Sequence, residues 1–248
     1  MNSDSTVFST FFVYCLCLNA ITRSPLTSTG KFISDKTANP AYGHLKINKW
    51  RHIEDMRQNM QTVLKHCEER LLASRLENPR SDAEYLASSV LRISQLELRL
   101  QKDRLLSEEE ASLLKSHVEL RVSRMPLQYI TGIAPFRHLD LKVGKGVLIP
   151  RPETEMLVDI ALEDSRPDGN FCDIGTGSGA IALSIAQERP DSSVAASDSS
   201  PEALKYAREN LAAAGLKNVR ILQSDLFSAY GPGDKFDVIT ANLPYIRK

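Results

Sequence analysis

The stretch Phe171-Cys172-Asp173-Ile174-Gly175-Thr176-Gly177-Ser178-Gly179-Ala180-Ile181-Ala182 constrains this chain more than any other. A short apolar run meets glycine at every second position and then passes into an Ala/Ile/Leu-rich helical pattern. That order predicts a strand, a tight turn and a helix start. Glycine adopts positive φ without steric cost and lets a ligand approach the backbone closely. The N–H groups of a first helical turn have no partner within the helix and face whatever lies in the turn. Two readings stay open here: a ligand cradle, or a tight connection from strand to helix that holds nothing.

Downstream the alternation continues. Ser193–Ser197 reads as a strand closed by Asp198, Pro201–Ala214 as a helix with Gly215 as its C-cap, Val219–Gln223 as a strand closed by Asp225, and Phe236–Ala241 as a fourth strand. Strands alternating with helices predict an α/β fold with a doubly wound parallel sheet, whose ligand lies beyond the carboxyl ends of the strands. The glycines, Asp198 and Asp225 all fall on that edge. An acid about 20 residues after a glycine turn suits ribose hydroxyls; Asp198, ahead of Ser199-Ser200-Pro201, also suits a helix cap. Asp225 reads either as an acceptor for an adenine amino group, with Leu226 and Phe227 against the base, or as a turn residue.

Gly175, Gly177 and Ala180 also satisfy a relaxed dinucleotide fingerprint, so the choice of ligand falls to Asn242-Leu243-Pro244-Tyr245 after the fourth strand. Pro244 has no N–H and pushes Leu243 towards an extended backbone. The loop then offers the Asn242 side-chain oxygen and a neighbouring carbonyl as two acceptors. Two acceptors hold a planar NH2 group, amide or base amine, with its nitrogen aimed at an electrophilic methyl. Tyr245 adds an aromatic wall.

The first part of the chain is of another kind. Residues 5–34 except for their basic Arg23 and Lys31 carry no charge, are rich in serine and threonine, and contain the apolar run Phe11–Leu18. That run is too short to span a bilayer and lacks the preceding basic region of a secretory signal, so residues 1–49 are read as an organelle leader or a disordered extension with a linker. From Trp50 to Arg124 the pattern is helical: Ile53, Met56, Met60, Val63, Leu64, Cys67 and Leu71 recur on one face. Asn78-Pro79 stops that helix, and capping boxes at Ser81–Glu84 and Ser107–Glu110 open two more, with Tyr85, Leu86, Val90, Leu91, Leu113, Leu114, Val118 and Val122 inward. A helical domain over 50–125 results.

Residues 126–151 are expected to form a hairpin linker, with Phe136–Val143 as one strand and a turn at Gly144-Lys145-Gly146. The next segment, Ile149-Pro150-Arg151-Pro152-Glu153-Thr154-Glu155, is pinned by its prolines. It is either a rigid helix start or a flap that closes Arg151 and the glutamates over a ligand. Lysine plus arginine and aspartate plus glutamate both number 31, so no global field marks a nucleic-acid binder. Cys15, Cys17, Cys67 and Cys172 form no CxxC or Cys/His set, which speaks against zinc and for a reducing compartment.

From about Trp50 onward the chain resembles the HemK family of protein glutamine methyltransferases. The resemblance rests on Arg124-Met125-Pro126-Leu127-Gln128-Tyr129-Ile130-Thr131-Gly132, on Leu148-Ile149-Pro150-Arg151-Pro152-Glu153-Thr154-Glu155, and on Asp173-Ile174-Gly175-Thr176-Gly177-Ser178-Gly179. It implies a helical bundle ahead of a Rossmann-like, S-adenosylmethionine-dependent methyltransferase domain over 152–248. It places Gly175, Thr176, Gly177, Ser178 and Gly179 at the methionine end of S-adenosylmethionine, Asp198 at the ribose, and Asp225 with Leu226 at the adenine. Asn242, Leu243, Pro244 and Tyr245 would hold the substrate amide, with Asn242, Pro244 and Tyr245 catalytic and Asn242 also beside the cofactor. The implied reaction moves a methyl group to the glutamine of the Gly-Gly-Gln motif in class I peptide release factors, which the helical domain would contact. A monomer without membrane or direct nucleic-acid partners is expected, of the mitochondrial type or otherwise cytoplasmic. Two departures stand out: Leu243 replaces the family's usual proline, and the family continues past the position of Lys248 to complete its sheet, so a truncated form with an open strand edge is expected. The alternatives are an RNA adenine N6-methyltransferase, which Asn-Leu-Pro-Tyr also suits, and a non-catalytic protein that binds a release factor.

Overall fold

The computed structural model describes residues 58–243 and the backbone of residues 12–15. Ile53 and Met56, most of the leader, and Pro244 and Tyr245 of the substrate loop lie outside the described residues. Two compact units divide between Thr131 and Gly132.

The helical unit contains α1 (Met60–Ala73), α2 (Pro79–Leu91), α3 (Gln95–Leu100), α4 (Glu108–Val122) and α5 (Leu127–Thr131). Met60, Val63, Cys67 and Leu71 of α1 pack with Leu86 and Leu91 of α2, Leu98, Leu114, Val118 and Ile130 into one core. Each such aliphatic side chain contributes roughly 1.5–3 kcal/mol when fully buried. Asn59 caps α1 by accepting from the Thr62 N–H at 3.0 Å. Ser107 and Glu110 form the expected box, with Glu110 N–H to Ser107 Oγ at 3.2 Å and Ser107 N–H to Glu110 Oε2 at 2.9 Å. Ser94 and Glu97 form another at α3, a helix that the sequence reading passed over.

The box expected at Ser81–Glu84 does not form. Pro79, whose fixed φ suits a first helical turn, starts α2 directly after Asn78. The Glu84 carboxylate instead accepts from Arg80 at 3.1 Å and Arg99 at 2.7 Å. Leu113, expected inward, is 47% exposed, because its neighbour Leu114 takes the buried position on α4.

The second unit opens with an antiparallel hairpin of β2 (Ile133–Phe136) and β3 (Leu139–Lys142). Its turn falls at Arg137-His138; the expected turn at Gly144–Gly146 is also present, with Val147 N–H donating to the Gly144 carbonyl at 3.2 Å, but residues 147–149 after it are not in a strand. Arg137 takes a left-handed φ of 50°, a conformation that disfavours a side chain. Its guanidinium compensates by binding Glu188 at 2.7 Å and Asp159 at 2.6 Å, which fastens the turn to the helices behind it.

A 3-10 turn, Pro152–Thr154, then leads into α6 (Glu155–Glu163), followed by β4 (Asn170–Ile174), α7 (Ala180–Glu188), β5 (Ser193–Asp198), α8 (Pro201–Ala214), β6 (Val219–Gln223) and β7 (Val238–Ala241). With β1 (Phe12–Cys15) these strands form a parallel sheet in the order β1-β7-β4-β5-β6. The fold is α/β and Rossmann-like. Alternate strand residues Phe171, Val194, Ala196 and Val238 share a core with Leu157, Val158, Leu183 and Ile185 of the helices. On the other sheet face Cys172, Ile174 and Ala241 pack under Tyr230 and Phe236. The open edge expected beside the fourth strand is paired: part of the apolar run of the leader lies parallel to β7, Phe12 opposite Val238 and Cys15 opposite Ala241.

Candidate active site

Strand register brings the chemistry-bearing residues to one sheet edge. Ile174 at the end of β4 is level with Ser197 of β5 and Ala241 of β7, and Asp198 is level with Gln223 of β6. The loops beyond these residues therefore begin side by side. The ladder continues into two of them, through Thr176 N–H to the Ser197 carbonyl at 2.9 Å and Ser224 N–H to the Asp198 carbonyl at 3.0 Å.

In the glycine turn, Gly175 and Gly177 adopt φ of 70° and 58°. A Cβ on Gly175 would lie 2.5 Å from Leu243 Cδ2, so glycine is required there by both backbone and space. The same contact shows that the glycine turn and the loop after β7 touch. Asp198 Oδ2 accepts from the Gly177 N–H and Oδ1 from the Ser200 N–H, both at 2.9 Å. The α8 cap is Ser200 itself, whose hydroxyl accepts from Ala203 N–H at 3.2 Å. Asp198 thus ties the glycine turn to the start of α8 and presents a half-buried carboxylate between them.

Asp225 sits in the exposed loop after β6, where its N–H donates to Ser228 Oγ at 3.1 Å and its carbonyl accepts from Ser228 N–H at 3.0 Å. Leu226, at φ 49°, and Phe227 are each about half exposed, at 51% and 49%. Leu243 packs against the cluster of Cys172, Ile174 and Ala241, and its neighbour Asn242 donates from Nδ2 to Thr154 Oγ1 at 3.2 Å.

The proline-rich segment is placed by both of its ends. Arg151, Pro152 and Glu153 are exposed, Thr154 is buried, and Glu155 Oε1 accepts from the Arg137 N–H at 3.0 Å. Glu155 is therefore part of a rigid helix start, and the residue that reaches the loop after β7 is Thr154.

Three residues missed by the sequence reading shape this edge. Thr154 lies within the proline-rich segment already singled out. Asn210 continues the inward spacing of Ala203, Leu204 and Ala207 on α8, and a polar residue at such a position is a usable signal. Its Oδ1 accepts from Lys142 N–H at 2.7 Å, and its Nδ2 donates to the Lys142 carbonyl at 3.1 Å and the Ser178 carbonyl at 2.9 Å. It joins the hairpin, α8 and the glycine turn. Asp173, 1% exposed, accepts from the Thr240 hydroxyl at 2.7 Å. Burial pushes its pKa up to about 6, against the Thr176 and Thr240 hydroxyls, which pull it down.

Residues 62–132 match the PrmC N-terminal domain family, and residues 165–246 match a methyltransferase domain family. A release factor glutamine methyltransferase of Fusobacterium nucleatum is 35% identical over 213 residues, covering 85% of this chain and 59% of that protein. The Vibrio cholerae release factor glutamine methyltransferase is 37% identical over 194 residues, covering 78% of this chain and 68% of that protein. The Escherichia coli protein of the same name is 40% identical over 173 residues, 68% of this chain and 61% of that protein. This chain thus spans about six tenths of the length of several curated relatives. No helix among the described residues is long and apolar enough to cross a membrane. With relatives of that name at 35–40% identity, one of them covered over 68% of its length, the chain belongs to the release factor glutamine methyltransferase family.

Proposed function

We propose that the chain transfers a methyl group from S-adenosylmethionine to the side-chain amide nitrogen of a glutamine, that of the Gly-Gly-Gln motif in a class I peptide release factor. One observation carries the reading: the loop holding Asn242 starts level with the glycine turn, and Leu243 rests on Gly175. A cofactor cradle and an NH2-holding loop are thereby neighbours. The residues fit the cofactor. Gly175 and Gly177 put no side chain at their left-handed positions, Thr176 and Ser178 are buried, and the Asp198 carboxylate, already accepting one N–H on each oxygen, has further lone pairs for ribose hydroxyls. Asp225 and Leu226 supply an acceptor and an apolar surface for an adenine.

When bound, S-adenosylmethionine would supply an electrophilic methyl on a sulfonium: as the N–C bond forms the S–C bond would break, its electron pair staying with S-adenosylhomocysteine, and one amide proton would be released. The chain supplies position. Asn242 Oδ1 and the backbone carbonyl of Leu243 accept the two N–H bonds of the glutamine amide and keep its nitrogen in line with the methyl. Pro244 holds that loop extended and Tyr245 walls it. Orienting two bound groups for in-line attack accounts for several orders of magnitude in rate. Leu243 replaces the usual proline without loss, since the role of this position is exercised through its carbonyl. The helical unit is the surface for the release factor.

The test is methyl incorporation into a recombinant class I release factor, read by peptide mass spectrometry. One methyl on the Gly-Gly-Gln glutamine is expected, lost when that glutamine is replaced and in Asn242→Ala. Labelling of RNA instead of the release factor would overturn the substrate assignment.

A further inference from the structure

We propose that Thr154 is a positioning residue for the methyl acceptor: its hydroxyl receives the NH2 end of the Asn242 amide, which turns the carbonyl end of that amide towards the substrate. The proposal rests on the reading of Asn242 given above and names the group that makes its orientation productive.

A threonine directly before a helix ordinarily caps it with its hydroxyl. Thr154 does not. It stands at the start of α6 with a helical backbone, φ −73° and ψ −19°, and makes no side-chain capping bond. Its hydroxyl meets Asn242 Nδ2 at 3.2 Å across 88 residues of sequence. Thr154 is 7% exposed and Asn242 half-buried, so this contact is partly sheltered from competing water.

The two ends of an asparagine amide have nearly the same shape, and their direction is set by their hydrogen-bond partners. A glutamine NH2 group brings two donors and needs acceptors. With Asn242 turned the other way, its own NH2 would face the substrate NH2, donor against donor. The productive direction sends the Asn242 NH2 inward, where it needs an acceptor, and Thr154 Oγ1 is that acceptor. A hydroxyl serves either end of the amide when no substrate is present; with the glutamine in place only one arrangement satisfies all three groups.

The surrounding segment explains why this hydroxyl is held still. Pro150 and Pro152 restrict the backbone on one side, and the Thr154 N–H donates to the Arg151 carbonyl at 2.9 Å. On the other side the Glu155 carboxylate accepts from Arg137 N–H at 3.0 Å, and the Arg137 guanidinium binds the Glu155 carbonyl at 3.3 Å. Arg137 is in turn locked to α7 through Glu188. The rigid segment that looked like a helix start or a flap is a mount for one hydroxyl group.

The experiment compares T154V, which keeps the shape and removes the acceptor, with T154S, which restores it, in the full chain. Initial rates of release-factor methylation are measured together with S-adenosylhomocysteine affinity by calorimetry. The side-chain NH2 resonances of Asn242 are recorded by nuclear magnetic resonance. A net hydrogen bond sets the scale at about tenfold. T154V is expected to lower kcat by about that factor, with KM for the release factor and cofactor affinity within about twofold. T154S is expected to recover most of the rate. The Asn242 NH2 signals should shift in T154V and stay near their wild-type positions in T154S. A wild-type kcat in T154V, or equal impairment in T154S, would overturn the proposal. If the wild-type chain methylates no release factor, the function above fails, and the resonances still decide: Asn242 signals indifferent to T154V would overturn the role of Thr154 by themselves.

Discussion

Replacing Asp173 by asparagine should make the protein more stable near neutral pH and change how its stability responds to acid. The carboxyl group lies at the centre of the sheet, 1% exposed, with the Thr240 hydroxyl donating to one oxygen at 2.7 Å. Burial raises its pKa from the ordinary 3.8 to about 6. The folded chain therefore binds more protons than the unfolded chain between those values. Stability from this group is fully present below about pH 3.8 and is lost as pH rises through about 6. At about 1.4 kcal/mol per pH unit, the ionised carboxylate costs the fold about 3 kcal/mol. An amide keeps an acceptor for Thr240 and carries no charge, although its buried NH2 gives back part of the gain. The clean quantity is the difference between Asp173→Asn and wild type across pH, in which all other titrating groups cancel. Urea denaturation followed by far-ultraviolet circular dichroism should show this difference moving in favour of the variant by roughly 2–3 kcal/mol between about pH 4 and pH 7.5. A difference that stays flat, or moves against the variant as pH rises, would mean that the ionised carboxylate is well solvated in the fold and the reasoning is wrong.

Two further outcomes follow from contacts at the same edge. Gly175→Ala puts a Cβ 2.5 Å from Leu243 Cδ2 at a φ of 70°, so a loss of about 1–2 kcal/mol in stability is expected, with S-adenosylhomocysteine affinity weakened at least about tenfold by calorimetry; wild-type affinity would refute the close contact between the two loops. Asn210→Ala strips partners from Lys142 N–H and from the Lys142 and Ser178 carbonyls and should cost about 2–4 kcal/mol in urea denaturation; a loss below about 0.5 kcal/mol would show that water replaces the amide.

The α/β core was legible because its signals are local. The glycine turn, the Gly215 cap at φ 66° and the strands ending at Asp198 and Gln223 each follow from backbone preferences over a few residues. The helical unit was legible in outline, since the Met60, Val63, Cys67, Leu71 spacing is a property of one helix face. The capping boxes show the limit: Ser107–Glu110 forms and Ser81–Glu84 does not, because Pro79 and the arginines around Glu84 outbid it. The hairpin was misplaced for a related reason. Arg137 sits within an alternating run that reads as strand, and only Glu155, Asp159 and Glu188, far along the chain, make a left-handed arginine tolerable there. Thr154 was invisible because its partner lies 88 residues away, and Asn210 was marked by its inward polar position while its partner at Lys142, 68 residues away, was not. A hydroxyl between two glutamates carries no mark of the amide it will meet.

The strand order has a bearing on how the chain is made. β4, β5 and β6 are neighbours in both sequence and space, so Gly175–Gly179 and Asp198 lie on adjacent strands that are synthesised before Asn242. β7 enters afterwards, between β4 and β1, and only then does the acceptor loop come to rest on the glycine turn. Domains fold as units during synthesis, and within this one the strands that carry the proposed donor cradle precede in the chain the strand that carries the proposed amide loop. Synthesis therefore delivers the proposed donor cradle before the proposed acceptor loop, and the place of β7 between β4 and β1 is what joins the two.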